Sequence, residues 1–298
     1  MQSGSTQGGR FEIPGAVSCG AGEGGLPCAR LTAAEAEAEI CLLGATVTRY
    51  DAGGRKVLFC SETSKFASGK AIRGGVPVIF PWFGPHPTDA ALPQHGFART
   101  SEWLVTEARR TGDGDVVVVL ELTASDATRA LWPHDFLLRY TVSVGSRLML
   151  TLEVVNRSGE PFQFTEAFHT YLAVSDVRNI RITGLENTEY ADKVAGMARK
   201  RLPHAPLTLF GETDRVFVNT AAACTLHDPE YGDIHVSKSG SRSTVVWNPW
   251  DKADSMADLG GGQWPGFVCI ETANALENAV TLAAGASHRM TAIIDPHE

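Results

Sequence analysis

The stretch VVVVLELTASDATRALWPHDFLLRYTVSVGSRLMLTLEVV (116–155) decides the fold. Its first eight residues, VVVVLELT (116–123), are mostly β-branched or aliphatic, the composition of a strand. FLLRYTVSV (136–144) alternates with period two and sets Leu138, Tyr140, Val142 and Val144 on one face, the pattern of a half-buried strand. Gly145-Ser146 interrupts the run and LMLTLEVV (148–155) resumes it, so these segments read as a hairpin. Between the first two strands, SDATRALW (125–132) offers Ser125 or Asp126 as cap and Pro133 as stop, which predicts a helix of a turn or two.

Working outward, FQFTEAFHTYL (162–172), TVVWN (244–248), FVCIET (267–272) and MTAII (290–294) read as further strands. AAEAEAEI (33–40) contains good helix formers, but its strict alternation and the β-branched residues after Gly44 favour a strand. DKADSMADL (251–259) reads as a second short helix. Strands without intervening helices argue against a parallel βαβ sheet and for an all-β fold, a large antiparallel β-sandwich or barrel with a few short helices. No composition break or linker divides the chain, so one domain is expected over residues 11–298. The polar, glycine-rich start MQSGSTQGGR (1–10) is expected to be disordered.

The 298 residues and 43% hydrophobic content supply a full core. A net charge of −8 disfavours nucleic acid as a partner. An anionic ligand would need a local cluster of arginines to overcome that charge. The six cysteines form no C-x-x-C pair and the nine histidines no metal-ligand spacing, so free thiols and no metal are expected. No apolar leader and no run of ~18 apolar residues occurs. The expected setting is the cytoplasm, without a membrane partner, and the expected state is a monomer.

Five segments carry chemistry. RGGVPVIFPWFGP (73–85) sets Arg73 before two glycines and ends in an aromatic cluster that includes Trp82. It suits a platform for a ring-shaped ligand; a buried aromatic corner with a surface arginine is the other reading. LPQHGFAR (92–99) packs Gln94, His95 and Arg99 together. The first two suit sugar hydroxyls, and the guanidinium suits a phosphate; a plain polar loop is the other reading. On a strand, FTEAFHTYL (164–172) would place Thr165, Ala167, His169 and Tyr171 on one face and Glu166 on the other. In GFVCIETAN (266–274), Phe267, Cys269 and Glu271 share a face. Burial there would raise the carboxyl pKa and make Glu271 a general base, unless it ends the strand in water. Asp214 in GETDRVF (211–217) is a candidate acceptor for sugar hydroxyls or half of a surface ion pair. A glycosidase pair of Glu166 and Glu271 is conceivable, but the period-two reading puts Glu166 opposite His169. The chain has no nucleophile elbow, P-loop or dinucleotide fingerprint.

Taken in order, RGGVPVIFPWFGP, LPQHGFAR, FTEAFHTYLAVSDV, ETDRVF, VVWNPW and GFVCIETAN resemble the motifs of glucose-6-phosphate 1-epimerases, or hexose-6-phosphate mutarotases, within the wider aldose 1-epimerase group. The resemblance runs from residue 73 to 274 and implies a galactose mutarotase-like supersandwich. It implies an isomerase of carbohydrate metabolism that needs no cofactor and interconverts the anomers of hexose 6-phosphates. His169 would be the general acid and Glu271 the general base. Arg73, Gln94, Arg99, Asp214 and His95 match substrate-binding positions, and Trp82 would lie against the sugar. On this reading His169 is expected to have a raised pKa, from the substrate phosphate or Asp214. Rivals are an epimerase of unphosphorylated aldoses, a non-catalytic sugar-phosphate-binding module, and the glycosidase.

Overall fold

The structure, a computed structural model, describes residues 10–297. The segment expected to be disordered, residues 1–10, lies outside them except for Arg10, whose guanidinium sits 5.6 Å from the centre of the Phe11 ring.

Segment 116–155 folds as its pattern dictates. Strands Val116–Thr123, Phe136–Val144 and Leu148–Asn156 lie side by side, and Val144 pairs with Leu148 across the turn at Gly145, Ser146 and Arg147. Leu138, Tyr140, Val142 and Val144 are all 0% exposed. On the opposite face Arg139 stands between its register partners Glu121 and Glu153, 2.9 and 3.2 Å away. The helix spans Asp126–Leu131, and Ser125 and Thr128 cap it reciprocally, each side chain accepting the other's backbone N–H.

These strands are part of an eight-stranded sheet that continues through Ser287–Asp295, Ile234–Ser239, Cys224–His227 and Arg181–Thr183 on one side and Leu104–Arg110 on the other. A second eight-stranded sheet runs Ala198–Arg201, Glu189–Asp192, Thr213–Phe217, Ser243–Asn248, Phe267–Asn274, Glu166–Phe168 and Val78–Ile79, with Tyr171–Ala173 also paired to Phe267–Asn274. A five-stranded sheet covers residues 17–56 and includes Ala36–Cys41, the alternating AEAEIC. Every strand ladder among the described residues is antiparallel. Tyr140 and Leu150 from the first sheet, Phe168 and Ile270 from the second, and Ile40 from the third share one hydrophobic cluster. The fold is the expected all-β sandwich. No helix of the described residues is long and apolar enough to cross a membrane.

Three local readings need correction. Segment 162–172 is three short strands, Phe162–Phe164, Glu166–Phe168 and Tyr171–Ala173. At Thr165 the chain changes partner from Val280–Leu282 to Phe267–Asn274, and the Thr165 hydroxyl accepts from the Phe83 N–H at 2.7 Å. A kink at Thr170, whose N–H donates to the Phe168 carbonyl at 2.8 Å, makes the second break. The apolar run after Arg73 forms a strand only over Val78–Ile79, with isolated bridges at Val76 and Phe80, because Pro77 and Pro81 on either side have no N–H to donate. Residues 250–255 form a 3₁₀ turn rather than an α-helix.

Glu166 is part of the fold. It lies opposite Asn274 in the ladder and is 0% exposed. Its Oε1 accepts from Asn274 Nδ2 at 2.8 Å and lies 2.8 Å from His288 Nε2. Burial works against the His288 imidazolium, but the hydrogen bond and charge of Glu166 outweigh it and raise the pKa. A raised folded-state pKa gives stability that is complete below the unfolded value, ~6.5, and fades as pH rises through the folded one. The melting-temperature gap between wild type and Glu166→Gln should therefore narrow as pH rises above about 6.5. A constant gap in thermal unfolding would contradict this pairing.

Candidate active site

The second sheet sets side chains from four neighbouring strands in one row. Asp214 pairs with Trp247, Trp247 with Cys269, and Cys269 with Tyr171, and directly opposed residues share a face. Two residues along, Glu271 occupies the same face as Cys269, while Val268 and Ile270 point into the main core. Glu271 therefore sits in mid-strand at 1% exposure, not at a wet strand end. Glu166, opposite Asn274, is on the core face, so the two carboxyls cannot act as a glycosidase pair.

His169 lies at the break between two short strands, its N–H donating to the Pro77 carbonyl at 3.0 Å. Its ring stacks on Tyr171 at 4.8 Å and meets Trp247 edge-on at 5.6 Å. The expected sharing of a face by His169 and Tyr171 thus survives the break. His169 Nε2 stands 3.5 Å from Glu271 Oε1. Among the described residues, His169 Nδ1 and Glu271 Oε2 are buried without a hydrogen-bond partner. Folds seldom tolerate unsatisfied buried polar atoms outside functional sites.

The LPQHGFAR loop is pinned over this pair. Phe97 and Ala98 N–H groups donate to the Phe80 carbonyl, and His95 N–H to the Gly84 carbonyl. Gly96 has φ +70°, and a Cβ there would lie 2.1 Å from the Phe80 oxygen, so only glycine permits this approach. Gly75, at φ +62°, is held as tightly against the Val47 carbonyl. These contacts bring the 73–85 and 92–99 segments together at one cleft. His95 Nδ1 accepts from the Gly84 N–H at 3.1 Å, which leaves Nε2 as the protonated nitrogen of the neutral ring. That nitrogen is 3.4 Å from Gln94 Nε2.

The cleft has two parts that share Arg73 and Arg99 in their walls. Arg73, Phe83, Gln94, His95, Arg99 and His169 line a cavity of ≈ 130 Å³, closed by Lys193, Asp214, Trp247, Met256 and Glu271. Arg73 and Arg99 also line a neighbouring cavity of ≈ 350 Å³, beside Lys65, Lys70 and Asp258. Arg73 is braced by Asp258, 3.0 Å from Nη2, and donates from Nη1 to the Tyr171 hydroxyl at 3.2 Å. Arg99 Nη2 donates to the Gln94 carbonyl at 2.8 Å. Asp214 holds Lys193 at 2.7 Å.

Burial pushes the Glu271 pKa well above the ordinary carboxyl value, and Asp214 adds to the effect. Burial pushes His169 well below the ordinary imidazole value, and the positive charges of Arg99 and Arg73 deepen the shift. This corrects the expectation of a raised His169: its charged neighbours are cationic, and the charge of Asp214 is taken up by Lys193. His95 is also held neutral, by burial and Arg99. Arg99 is lowered by burial to about 10, so it remains a cation at neutral pH.

Of the eight residues singled out from the sequence, seven line the cleft: Arg73, Gln94, His95, Arg99, His169, Asp214 and Glu271. Trp82 does not. It is 6% exposed, belongs to the main core cluster, and donates its indole N–H to the Pro93 carbonyl at 2.9 Å. Phe83 and Trp247 supply the aromatic walls instead. Trp247 stood in the matched motif VVWNPW, and Tyr171 shared the face of His169. Lys193, in a turn after Glu189–Asp192, left no pattern in the sequence.

The family model described as aldose 1-epimerase matches residues 27–295. A Cenchrus ciliaris protein provisionally named a glucose-6-phosphate 1-epimerase is 35% identical over 270 residues, 85% of this chain and 79% of its own length. An Escherichia coli protein under the same provisional name is 36% identical over 246 residues, 82% of this chain and 81% of its own. A solved structure from Salmonella typhimurium, provisionally titled a mutarotase, superposes with a TM-score of 0.86 at 32% identity, covering 95% of this chain and 94% of that one. The chain belongs to the aldose 1-epimerase family.

Proposed function

We propose that this protein interconverts the α and β anomers of hexose 6-phosphates, chiefly glucose 6-phosphate, with His169 and Glu271 as its acid–base pair. The observation that carries the reading is a buried imidazole–carboxyl pair, 3.5 Å apart, in a cavity that shares two lining arginines with a second, cation-lined one. The provisional names of the relatives support the phosphorylated substrate.

In the forward step the Glu271 carboxylate takes the proton of the C1 hydroxyl. The C1–O5 bond breaks, and the His169 imidazolium gives a proton to O5. The open-chain aldehyde turns about C1–C2, and reclosure reverses both transfers. Phe83 and Trp247 offer apolar walls to the sugar, and neutral His95 with Gln94 supplies polar contacts. Arg73 and Arg99 receive the phosphate, where guanidinium geometry favours paired contacts.

The charges suggest a second role for the phosphate. Burial favours the neutral pair, carboxyl and imidazole; Arg99 and Arg73 deepen the depression of His169, whereas Lys193 and Arg99 favour the Glu271 carboxylate. A phosphate dianion on Arg73 and Arg99 offsets the cationic part of the depression of His169 and so favours its imidazolium, the form that protonates O5. One pKa unit is a tenfold change in protonation, 1.36 kcal/mol. Free glucose should therefore turn over slowly, and added inorganic phosphite should raise its rate on the order of tenfold. Faster exchange of free glucose than of glucose 6-phosphate, with no response to phosphite, would favour an epimerase of unphosphorylated aldoses.

A further inference from the structure

The face that carries Glu271 also carries Cys269, which the acid–base reaction does not use. The potential ligand atoms of His169, Cys269 and Glu271 all lie within 4.8 Å of one another. The three residues are 7%, 0% and 1% exposed. Among the described residues, Glu271 Oε2 is buried and unpartnered, so this spot holds a donor atom the fold leaves unused. Nitrogen, thiolate sulfur and carboxylate oxygen together form the donor set of a borderline-soft divalent metal.

We propose that His169, Cys269 and Glu271 form a site for a thiophilic divalent cation of the zinc class, and that filling it shuts the acid–base pair down. Tetrahedral zinc takes sulfur at ~2.3 Å and nitrogen or oxygen at ~2.0–2.2 Å, which places its ligand atoms roughly 3.3–3.6 Å apart. His169 Nε2 and Glu271 Oε1 stand 3.5 Å apart already, and side-chain rotation contracts the rest. Three protein ligands leave the fourth position to water or a sugar hydroxyl.

Charge favours the occupied state despite Arg73, Arg99 and Lys193 nearby. One thiolate and one carboxylate cancel the two positive charges of the ion, so the complex is neutral. Binding expels the thiol proton and any proton on Glu271 to solvent, and affinity must rise with pH. Burial favours the protonated forms of both groups, so proton release accompanies loading.

The test titrates the intact protein with Co²⁺ and follows thiolate-to-cobalt charge-transfer absorption, then titrates glucose 6-phosphate exchange with Zn²⁺. The wild type should show the band, lose it to Zn²⁺, and be inhibited by Zn²⁺, with activity restored by chelator. Cys269→Ala and Cys269→Ser should lack the band and require at least about 100-fold more Zn²⁺, since losing even an outer-shell partner costs 10–100-fold. No band in the wild type, a band that persists in both variants, or equal inhibition of all three proteins overturns the proposal. The Ser variant keeps a polar group of similar size should the Ala variant fail to fold. The absorption signal needs no turnover, so it stands or falls separately from the epimerase reading.

Discussion

Glu271→Gln should slow anomer exchange of glucose 6-phosphate by ~10²–10⁴-fold in kcat, the range typical of a lost general base, with KM little changed. Glutamine keeps the shape and can still hydrogen-bond the C1 hydroxyl, but it cannot accept the proton. The same variant should melt no lower than the wild type. Glu271 is 1% exposed with Oε2 unpartnered, and burying an ionisable group costs stability that an amide avoids. Loss of activity together with a large fall in melting temperature would assign Glu271 to the fold rather than the reaction. Kinetics by NMR and thermal unfolding on one sample separate the two.

Arg99→Ala should raise KM for glucose 6-phosphate by about 100-fold, since truncating one partner of a buried hydrogen-bonded charge pair typically costs 2–5 kcal/mol. KM for free glucose should barely move, because the guanidinium meets only the phosphate. Arg99 touches both cavities, and its Nη2 is anchored by the Gln94 carbonyl. Arg73 is already paired with Asp258 and Tyr171, which leaves Arg99 the less encumbered cation of the two. Steady-state exchange rates on both sugars decide the matter. An equal rise for both would mean that Arg99 orders the Gln94–His95 loop and does not read the phosphate.

The central sheet was legible because 116–155 obeys period two for long stretches, and such stretches bury one face whatever surrounds them. Glu271 was legible for the same reason: FVCIET alternates, and the register that buries Val268 and Ile270 must turn Glu271 to the other side. The breaks in 162–172 were not, since Thr165 leaves the ladder to bond the Phe83 N–H, a partner some eighty residues away. Trp82 and Trp247 illustrate a second limit. Both are tryptophans within two residues of a proline, and only the packing of Trp82 against the Pro93 carbonyl and the core separates wall from filler. The sign of the His169 shift failed because the imidazole is buried, and Arg99 and Arg73 deepen the effect, while Lys193, invisible in the sequence pattern, takes up the Asp214 charge.

Exchange NMR of glucose 6-phosphate with catalytic amounts of wild-type protein tests the central claim most directly, by following magnetisation passed between the α and β anomeric protons. The account predicts exchange far above the spontaneous rate, in proportion to protein concentration and lost in His169→Asn and Glu271→Gln alike. Exchange at the spontaneous rate, under conditions where glucose 6-phosphate demonstrably binds, would contradict it.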